Sequence, residues 1–345
     1  MIKNNGGDDN LTSSERSIFY KHKMYNKKMQ HQLERMHNAA EIRFKENMLQ
    51  RYAPWTDIEQ YKVYSTSFLR RSIRVNTLKI TVKELKKRME PNWNLEQIPW
   101  CKEGFWIEHV KKERRDIGNT MEHALGYYYI QESASMIPPI VLNPKQRNLI
   151  LDMCAAPGSK ASQLAQYMEN TGVLIANDYT GIRLAPLGIN LQRMGVRNHM
   201  ITLMHGQWFK NLQLDAVLVD APCSGTGTIR KSIKTLEIWN PEMVKKLSYV
   251  QKKLIQNGFN LLRPGETLVY STCSQEPEEN EGVVDFLLKN NPNAKIEKID
   301  LDIKHSPAVL AFEKNEYDAS IKKTLRLWPQ DNDTEGFFVA KIRKE

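Results

Sequence analysis

The fold is decided by the stretch Val217-Leu-Val-Asp-Ala-Pro-Cys-Ser-Gly-Thr-Gly227. The apolar run 216–219, set between two aspartates, predicts a short buried strand. The strand ends at Asp220, and Pro222 restricts the backbone that leads into Cys223. Open α/β sheets bind ligands where their strands end, so a carboxylate and a thiol here indicate a site. A tight turn around a buried cysteine explains this stretch alone equally well.

The second half of the chain alternates strand patterns with helix patterns. Strands are predicted at 149–153, 173–177, 199–203, 216–219 and 267–271, with helices at 160–168, 183–194 and 243–262. Two further strands, at 323–327 and 336–342, are expected to close the edge of the sheet. This alternation is typical of βαβ units and of a parallel sheet covered on both faces.

The first half of the chain shows a different pattern. Strands are predicted at 70–79, which is rich in basic residues, at 104–107 and at 127–130, with a helix at Val82–Met89 that Thr81 would cap. The charged segment 13–52 predicts one or two exposed helices that lean on the body of the protein. We therefore expect a polar tail with helices (1–52), a small α+β domain (53–140) and an α/β domain (141–345).

The charge of the chain favours an anionic partner. The formal net charge is +10, and residues 1–140 contain 24 Lys and Arg against 17 Asp and Glu, an excess of 7. Nucleic acid is the simplest such partner, and ordinary solubility is the alternative. Aromatic residues in the small domain could stack on single-stranded RNA, although aromatic residues in strands more often build the core.

The cysteines and the apolar runs exclude several classes of protein. The four cysteines, Cys101, Cys154, Cys223 and Cys273, include no CxxC pair, which argues against a disulfide framework and against a zinc site. No apolar run approaches the ~20 residues that span a bilayer, and the N-terminus lacks the apolar segment of a secretory signal. We expect a cytoplasmic protein that binds no metal and does not enter the membrane.

A second strand exit, Asp152-Met-Cys-Ala-Ala-Pro-Gly-Ser-Lys160, has the pattern of a cofactor site. Strand, tight turn and helix start place free backbone amides against a ligand. The stretch contains neither GxGxxG nor GxxxxGK[ST], which disfavours dinucleotides and nucleoside triphosphates. Asp178, at the end of the next strand, stands where nucleoside-binding folds hold ribose hydroxyls, or else caps a helix. A glycine turn and a ribose acid without a phosphate grip fit S-adenosylmethionine better than NAD.

Three motifs together resemble the Nop/Sun family of RNA cytosine-5 methyltransferases. They are Asp152–Lys160, Asp220-Ala-Pro-Cys-Ser-Gly225 and Tyr270-Ser-Thr-Cys-Ser274, flanked by Arg74-Val-Asn-Thr-Leu-Lys79, Gln131-Glu-Ser-Ala-Ser135 and Gly336-Phe-Phe-Val-Ala-Lys341. The resemblance covers about residues 65–345. It implies an α/β fold, with a class I Rossmann-like methyltransferase domain preceded by a small α+β RNA-binding domain.

The resemblance also implies which residues bind the cofactor. S-adenosylmethionine would contact Asp220, Asp178 on the ribose, Arg183, and the turn residues Cys154, Ala155, Ala156, Pro157, Gly158, Ser159 and Lys160. Nothing beside Cys154 would activate its thiol. The chain departs from the family at residues 204–207, Met-His-Gly-Gln, where an acidic residue usually stands near the adenine. Gln207 or a backbone group would take its place.

Methylation of cytosine at carbon-5 requires covalent help, because that carbon is a poor nucleophile. A thiolate that adds to carbon-6 makes carbon-5 able to attack the methyl sulfonium, and a carboxylate near the ring edge helps by placing a proton on nitrogen-3 as charge builds there. By resemblance, Cys273 is the nucleophile, Cys223 assists breakdown of the adduct, and Asp220 holds the cytosine. In DNA cytosine-5 methyltransferases the Pro-Cys thiol attacks instead, so these roles depend on the family.

The leading interpretation is an RNA cytosine-5 methyltransferase that acts as a monomer, most simply on transfer RNA. Ribosomal RNA is the alternative substrate, and a non-catalytic RNA-binding protein that retains the fold is the alternative function. A DNA methyltransferase is disfavoured, because no separate target-recognition segment follows the motifs. The target base must leave its stack, and Lys231 and Lys234 are candidate phosphate contacts.

Overall fold

The computed structural model describes residues 33–114 and 116–345. About half of the segment 13–52, in which exposed helices are predicted, lies outside these residues. Within the described ranges, no helix is both long enough and apolar enough to cross a bilayer. The chain forms a small antiparallel sheet, which has an apolar core of its own, and a large, mainly parallel sheet, one of whose two apolar layers also includes Trp106 and Tyr129 of the small sheet.

Two short helices, α1 (Glu46–Tyr52) and α2 (Ile58–Ser65), precede the small sheet. Helix α1 has an exposed face with Glu46, Asn47 and Gln50, and a face against the body of the protein on which Met48 and Tyr52 are fully buried. These two residues lie one turn apart on the same face, which packs against Trp328 from the second half of the chain. The sequence around α1 is charged and weakly periodic, so its buried face cannot be recognised without that distant partner.

The small sheet is antiparallel, with the strand order β2-β3-β1-β4. Its elements are β1 (Ser72–Val75), α3 (Val82–Met89), β2 (Trp93–Gln97), β3 (Gly104–His109), α4 (Met121–Ala124) and β4 (Tyr128–Ile130). Helix α3 begins as predicted, with Thr81 and Glu84 forming a capping box. Ile73, Leu85 and Phe105 belong to the core between helix and sheet.

The large sheet has the order β10-β14-β9-β8-β5-β6-β7, with β13 paired to β14. Its strands are β5 (Leu149–Asp152), β6 (Val173–Asp178), β7 (His199–Leu203), β8 (Leu214–Asp220), β9 (Leu262–Thr272), β10 (Ala294–Glu297), β13 (Leu325–Leu327) and β14 (Phe337–Lys344), and a separate hairpin contains β11 (Ala311–Phe312) and β12 (Asn315–Glu316). Strands β5 to β9 all run parallel to one another, whereas β14 runs antiparallel to both β9 and β10. The predicted Rossmann-like α/β class, with a small α+β domain before it, is confirmed.

The helices of the large domain cover both faces of this sheet. They are α5 (Ile137–Leu142), α6 (Ser159–Tyr167), α7 (Gly181–Met194), α8 (Lys234–Ile238), α9 (Pro241–Leu261), α10 (Glu281–Asn290) and α11 (Pro329–Asn332). Along β8, Leu218 packs into one apolar layer, and its neighbours Val217 and Val219 pack into the other. Burial on both faces explains why these strands are continuous apolar runs in the sequence.

The parallel strands end at one edge of the sheet and bring distant motifs together there. Asp152 ends β5, Asp178 ends β6 and Asp220 ends β8. Asp220 pairs in register with Ser271 of β9, two residues before Cys273. The carboxyl ends of parallel strands are where ligands bind in open α/β sheets, so this edge is the candidate site.

The two sheets are joined by buried polar contacts. Arg74 of β1 is fully buried, so this member of the predicted basic strand cannot face RNA. Its guanidinium donates to Gln131 Oε1 at 2.8 Å, and on α6 to Ser162 Oγ at 2.8 Å and to Gln166 Oε1. Burial lowers the pKa of Arg74 from its ordinary value. Asn76 adds a second link by donating to the backbone of α7 at 2.8 Å.

The junction between the domains lies close to α5. The sequence places the boundary between residues 140 and 141, which falls inside this helix. Ile137, Val141 and Leu142 pack in the same apolar layer as Leu218 of the large sheet. Helix α5 thus packs against β8, β9 and β14 of the large sheet.

Candidate active site

Two cysteines meet beyond the ends of β8 and β9. The Sγ atoms of Cys223 and Cys273 are 3.2 Å apart, and both residues are half-buried. Neighbouring backbone bonds hold the two loops side by side: Ala221 N–H donates to Ser271 O at 2.9 Å, and Gly227 N–H donates to Cys273 O at 2.9 Å. The sequence predicts that both thiols follow strand ends, and the structure brings them into direct contact.

A buried carboxylate lies behind the two thiols. Glu279 accepts from Ser224 N–H at 2.9 Å, from Ser224 Oγ at 2.5 Å and from Ser274 Oγ. Gln251 of α9 donates to the same carboxylate at 3.0 Å. Burial raises the pKa of Glu279 to about 7. The sequence analysis missed this residue, although four glutamates and an asparagine within 276–281 directly follow the second cysteine motif.

The floor of the site is an ion pair. Lys160 Nζ lies 2.7 Å from Asp220 Oδ2, and Ser271 Oγ donates to Asp220 Oδ1 at 2.8 Å. Burial disfavours the charged form of Lys160, but the charge and hydrogen bond of Asp220, together with the charges of Cys273 and Asp152, outweigh it and raise the pKa of the amine. The Lys160 ammonium also lies 5.4 Å from the centre of the Phe337 ring, at the start of β14. Lysine and aspartate together present a donor and an acceptor to a ring edge.

The turn after β5 has the shape that the sequence predicts for a cofactor site. Ala155 N–H donates to Asn177 O at 2.7 Å, which ties the turn to β6. Gly158, with φ +105°, begins α6 in a conformation that a side chain would strain. Arg183 of α7 donates to Ala156 O at 2.5 Å. The chain therefore folds back at this point and leaves the first turn of α6 facing the sheet edge.

Two aspartates at this edge present carboxylate oxygens that accept no hydrogen bond from the described residues. Asp178 Oδ1 accepts from Thr180 N–H at 3.0 Å, whereas its buried Oδ2 has only Arg183 Nη1, at 3.3 Å. Asp152 Oδ2 is also buried without a donor, and burial together with the charge of Asp220 raises the pKa of Asp152 to about 7. Unpaired buried acceptors fit a ligand that carries hydroxyl and ammonium groups.

An aromatic cluster stands where the family usually has an acidic residue near the adenine. The ring of His205 is stacked on Tyr179 with centroids 5.5 Å apart, and lies 4.3 Å from Trp208. Trp208 and Tyr179 remain 56% and 52% exposed. Gln207 is half-buried beside them, and its role at the adenine stays a prediction. The sequence analysis missed this cluster, because its three rings come from two separate strand exits.

The remaining predicted residues lie further from the thiols or carry no reactive group. Burial, followed by the charge of Asp152, raises the pKa of Cys154 well above its ordinary value, so this residue stays a thiol. Cys101 is buried in the core near the small sheet. Lys231 and Lys234 are exposed after the Cys223 loop, where they are available to phosphates.

The fold and the site, in which two cysteines lie in contact beyond the ends of two neighbouring strands, are those of a class I methyltransferase. Residues 139–343 match the family model described as 16S rRNA methyltransferase RsmB/F, and residues 42–133 match that of the N-terminal domain of RsmF. The chain belongs to this Nop/Sun family and is an RNA cytosine-5 methyltransferase that uses S-adenosylmethionine.

Individual relatives cover the chain to different extents. It is 47% identical over 300 residues to a tRNA (cytosine(49)-C(5))-methyltransferase of Pyrococcus abyssi, which covers 86% of this chain and 95% of that protein. It is 42% identical to the ribosomal RNA small subunit methyltransferase F of Shewanella oneidensis, covering 80% of this chain but 57% of that protein. A methyltransferase homologue from Pyrococcus horikoshii superposes with a TM-score of 0.79 at 36% identity, covering 89% of this chain and 98% of that one.

Proposed function

We propose that this chain methylates carbon-5 of a cytosine in transfer RNA, with Cys273 as nucleophile and Cys223 assisting release. The observation that supports these roles is the pair of thiols 3.2 Å apart beside the Lys160–Asp220 ion pair. Asp220 holds the edge of the cytosine. The presence of both thiols and of their charged neighbours disfavours the alternative of a non-catalytic RNA-binding protein.

Transfer RNA is favoured over ribosomal RNA by the extent of the match. The relative named for cytosine 49 of tRNA corresponds to this chain over 95% of its length. In the relatives named for ribosomal RNA, more than a third of the protein has no counterpart in this chain. We further infer a monomer in the cytoplasm, where a reducing environment keeps the thiols free.

The cofactor site comprises the turn from Cys154 to Lys160 together with Asp178, Arg183 and Asp220. Asp178 Oδ2 accepts from the ribose hydroxyls, and Arg183 holds both that carboxylate and the turn. When bound, S-adenosylmethionine supplies the methyl group as an electrophilic sulfonium. The polar edge formed by Asp152 and the first turn of α6 orients it toward the cysteines.

The chemistry begins when the Cys273 thiolate bonds to carbon-6 of the cytosine, which makes carbon-5 nucleophilic. Asp220 and Lys160 hold the ring edge while charge develops on it. After the methyl group has arrived, Cys223 gives its proton to the sulfur of Cys273 as the bond from that sulfur to carbon-6 breaks, and the carbon-5 proton passes to the sulfur of Cys223, which ends as a thiol again. Cys223, in contact with Cys273, assists this release. Its hydrogen bond with Cys273 and its burial raise its pKa well above the ordinary value, so it enters the reaction as a thiol.

We also propose domain boundaries that differ slightly from those expected from the sequence. The small domain ends near residue 133, because α5 packs in the large domain and the family model for the N-terminal domain ends at that residue. The large domain then begins with the short 3-10 helix Ala134–Met136 and α5. The tail at residues 1–32 is outside the described residues.

The roles of the thiols are tested by trapping the adduct. Cys273→Ala removes the nucleophile, so we expect no methylation and no covalent RNA complex on a denaturing gel. Cys223→Ala can still attack but releases slowly, so cross-linked protein accumulates. Cys101→Ala is the control and behaves as the wild type. Cross-links from Cys273→Ala and none from Cys223→Ala would reverse the two roles.

The substrate is tested by bisulfite sequencing. Purified protein and S-adenosylmethionine are incubated with total tRNA or with small-subunit ribosomal RNA, and protected cytosines are mapped. We expect protection in tRNA that is lost in Cys273→Ala. Protection confined to ribosomal RNA would contradict the proposed substrate while leaving the chemistry intact.

A further inference from the structure

The carboxylate of Glu279 connects the two catalytic loops directly. Ser224 follows Cys223 and Ser274 follows Cys273, and both hydroxyls donate to Glu279. The backbone N–H of Ser224 adds a third donor at 2.9 Å. Because one side chain accepts from both loops, any movement of Glu279 changes the position of both thiols.

Further bonds fix the carboxylate itself. Gln251 Nε2 bridges Glu279 Oε1, at 3.0 Å, and the carbonyl of Pro222, at 2.8 Å. The Tyr270 hydroxyl donates to Glu279 O at 2.5 Å. Glu279 is fully buried and lies in the same loop as Cys273. The carboxylate therefore has no freedom to turn away from the thiols when the site is folded.

The charges around the two thiols differ. The pKa of Cys223 is raised first by its hydrogen bond with Cys273, then by burial and by the charge of Cys273. The negative charge of Glu279 is a further cause that raises it. Cys273 is in direct contact with Cys223, and Tyr270, a neutral phenol, also lies close enough to interact with it. The Lys160 ammonium stands near Cys273, whose charge is among those that raise the pKa of Lys160.

We propose that Glu279 is the positioning residue that decides which thiol attacks. It holds the two loops in register, and its carboxylate, bonded to the N–H that directly follows Cys223, disfavours a second negative charge on that thiol and leaves the attack to Cys273. This inference rests on the proposed roles of the two cysteines and adds the group that assigns them. A negative charge disfavours the thiolate form of a nearby cysteine, whereas an ammonium group favours that form.

The wild-type chain provides the first test. The rates at which iodoacetamide alkylates Cys223 and Cys273 are measured by mass spectrometry at pH 8, without RNA or cofactor. Because accessibility as well as thiolate content affects these rates, the ratio of the two rates is compared with that of the Glu279→Gln variant, in which the same two sulfurs react. We expect Cys273 to react at least about tenfold faster. Equal rates, or a faster Cys223, would overturn the proposal.

Two substitutions then separate charge from packing. Glu279→Gln keeps the size of the side chain and removes its charge, so the ratio of the two rates is expected to fall by about tenfold. Glu279→Asp keeps the charge and is expected to preserve the wild-type preference. A purely structural role would change both variants alike, and a wild-type ratio in Glu279→Gln would also refute the inference.

The alkylation assay is independent of the RNA reaction. Calorimetric binding of S-adenosylmethionine, expected within about twofold of the wild type, shows that each variant is folded. If the adduct-trapping experiment reverses the roles of the thiols, the proposed roles and the inference about Glu279 fail together. If trapping confirms the proposed roles of the thiols but alkylation shows no preference for Cys273, only the inference about Glu279 fails.

Discussion

Replacing Asp178 with asparagine is expected to weaken the binding of S-adenosylmethionine without unfolding the protein. Asp178 Oδ2 is buried and accepts no hydrogen bond, while Oδ1 accepts from Thr180 N–H at 3.0 Å. An asparagine can retain the bond from Thr180 through its carbonyl oxygen. The substitution therefore removes the charge and the free acceptor that we assign to the ribose, together with the 3.3 Å ion pair between Asp178 and the half-exposed Arg183.

The magnitude follows from the chemistry of that free oxygen. A hydrogen bond to a charged group contributes about 1.5–3 kcal/mol, and each 1.4 kcal/mol is a factor of ten in affinity. We therefore expect the Kd of Asp178→Asn to rise by roughly ten- to hundredfold. The oxygen is already desolvated before the ligand arrives, so the bond to the ribose is not weakened by competition from water.

Isothermal calorimetry without RNA measures this change directly. Asp57→Asn is the matched control, because Asp57 also accepts from backbone N–H groups, at the start of α2, but lies away from the site. Its affinity for the cofactor is expected to equal that of the wild type. A Kd for Asp178→Asn within twofold of the wild type, in a folded protein, would remove Asp178 from the cofactor site.

Three other perturbations give distinct outcomes. Arg74→Met leaves two buried amide oxygens without a donor and is expected to cost about 2–6 kcal/mol in urea unfolding, whereas exposed Arg88→Met costs less than about 0.5 kcal/mol. Diamide is expected to join Cys223 and Cys273 in a disulfide, seen as a two-hydrogen mass loss that dithiothreitol reverses, because their sulfurs are already 3.2 Å apart. Burial raises the pKa of Asp152 to about 7 in the folded protein, so this carboxyl group makes the fold less stable as the pH rises from 4 to 7. The stability of Asp152→Asn relative to the wild type should therefore increase over that window and stay constant above it. An equal gain at pH 4.5 and 7.5 would contradict this.

The strands and the cysteine motifs of the large domain could be predicted because their signals are local. An apolar run, a following aspartate and a proline or glycine turn specify a strand exit within ten residues, as in the stretch from Val217 to Gly227. The thiol contact also follows, since parallel strands end at one edge. His199–Leu203 is predicted to the residue, and the other predicted strands of the parallel sheet are present with ends that differ by a few residues.

What the sequence could not predict depends on partners far along the chain. Tyr52 of α1 donates to Glu276, 224 residues away, and nothing near Tyr52 identifies that bond. Glu276, Glu279 and Glu281 look like solvated charges, yet all three are buried and hydrogen-bonded. Arg74 is hidden for the same reason: its acceptors are neutral amides and hydroxyls that have no distinctive sequence pattern.

The buried links between the two domains have a consequence for the RNA. Arg74 and Asn76 tie the small sheet to α6 and α7 through acceptors that water cannot replace without opening the interface. These links keep the two domains in a nearly fixed relative position, so the RNA must deform for its target base to reach the thiols. Extruding a stacked base costs a few kcal/mol, and least where stacking is already incomplete. Cytosines at junctions between helical arms should therefore be modified faster than the same base within a continuous duplex.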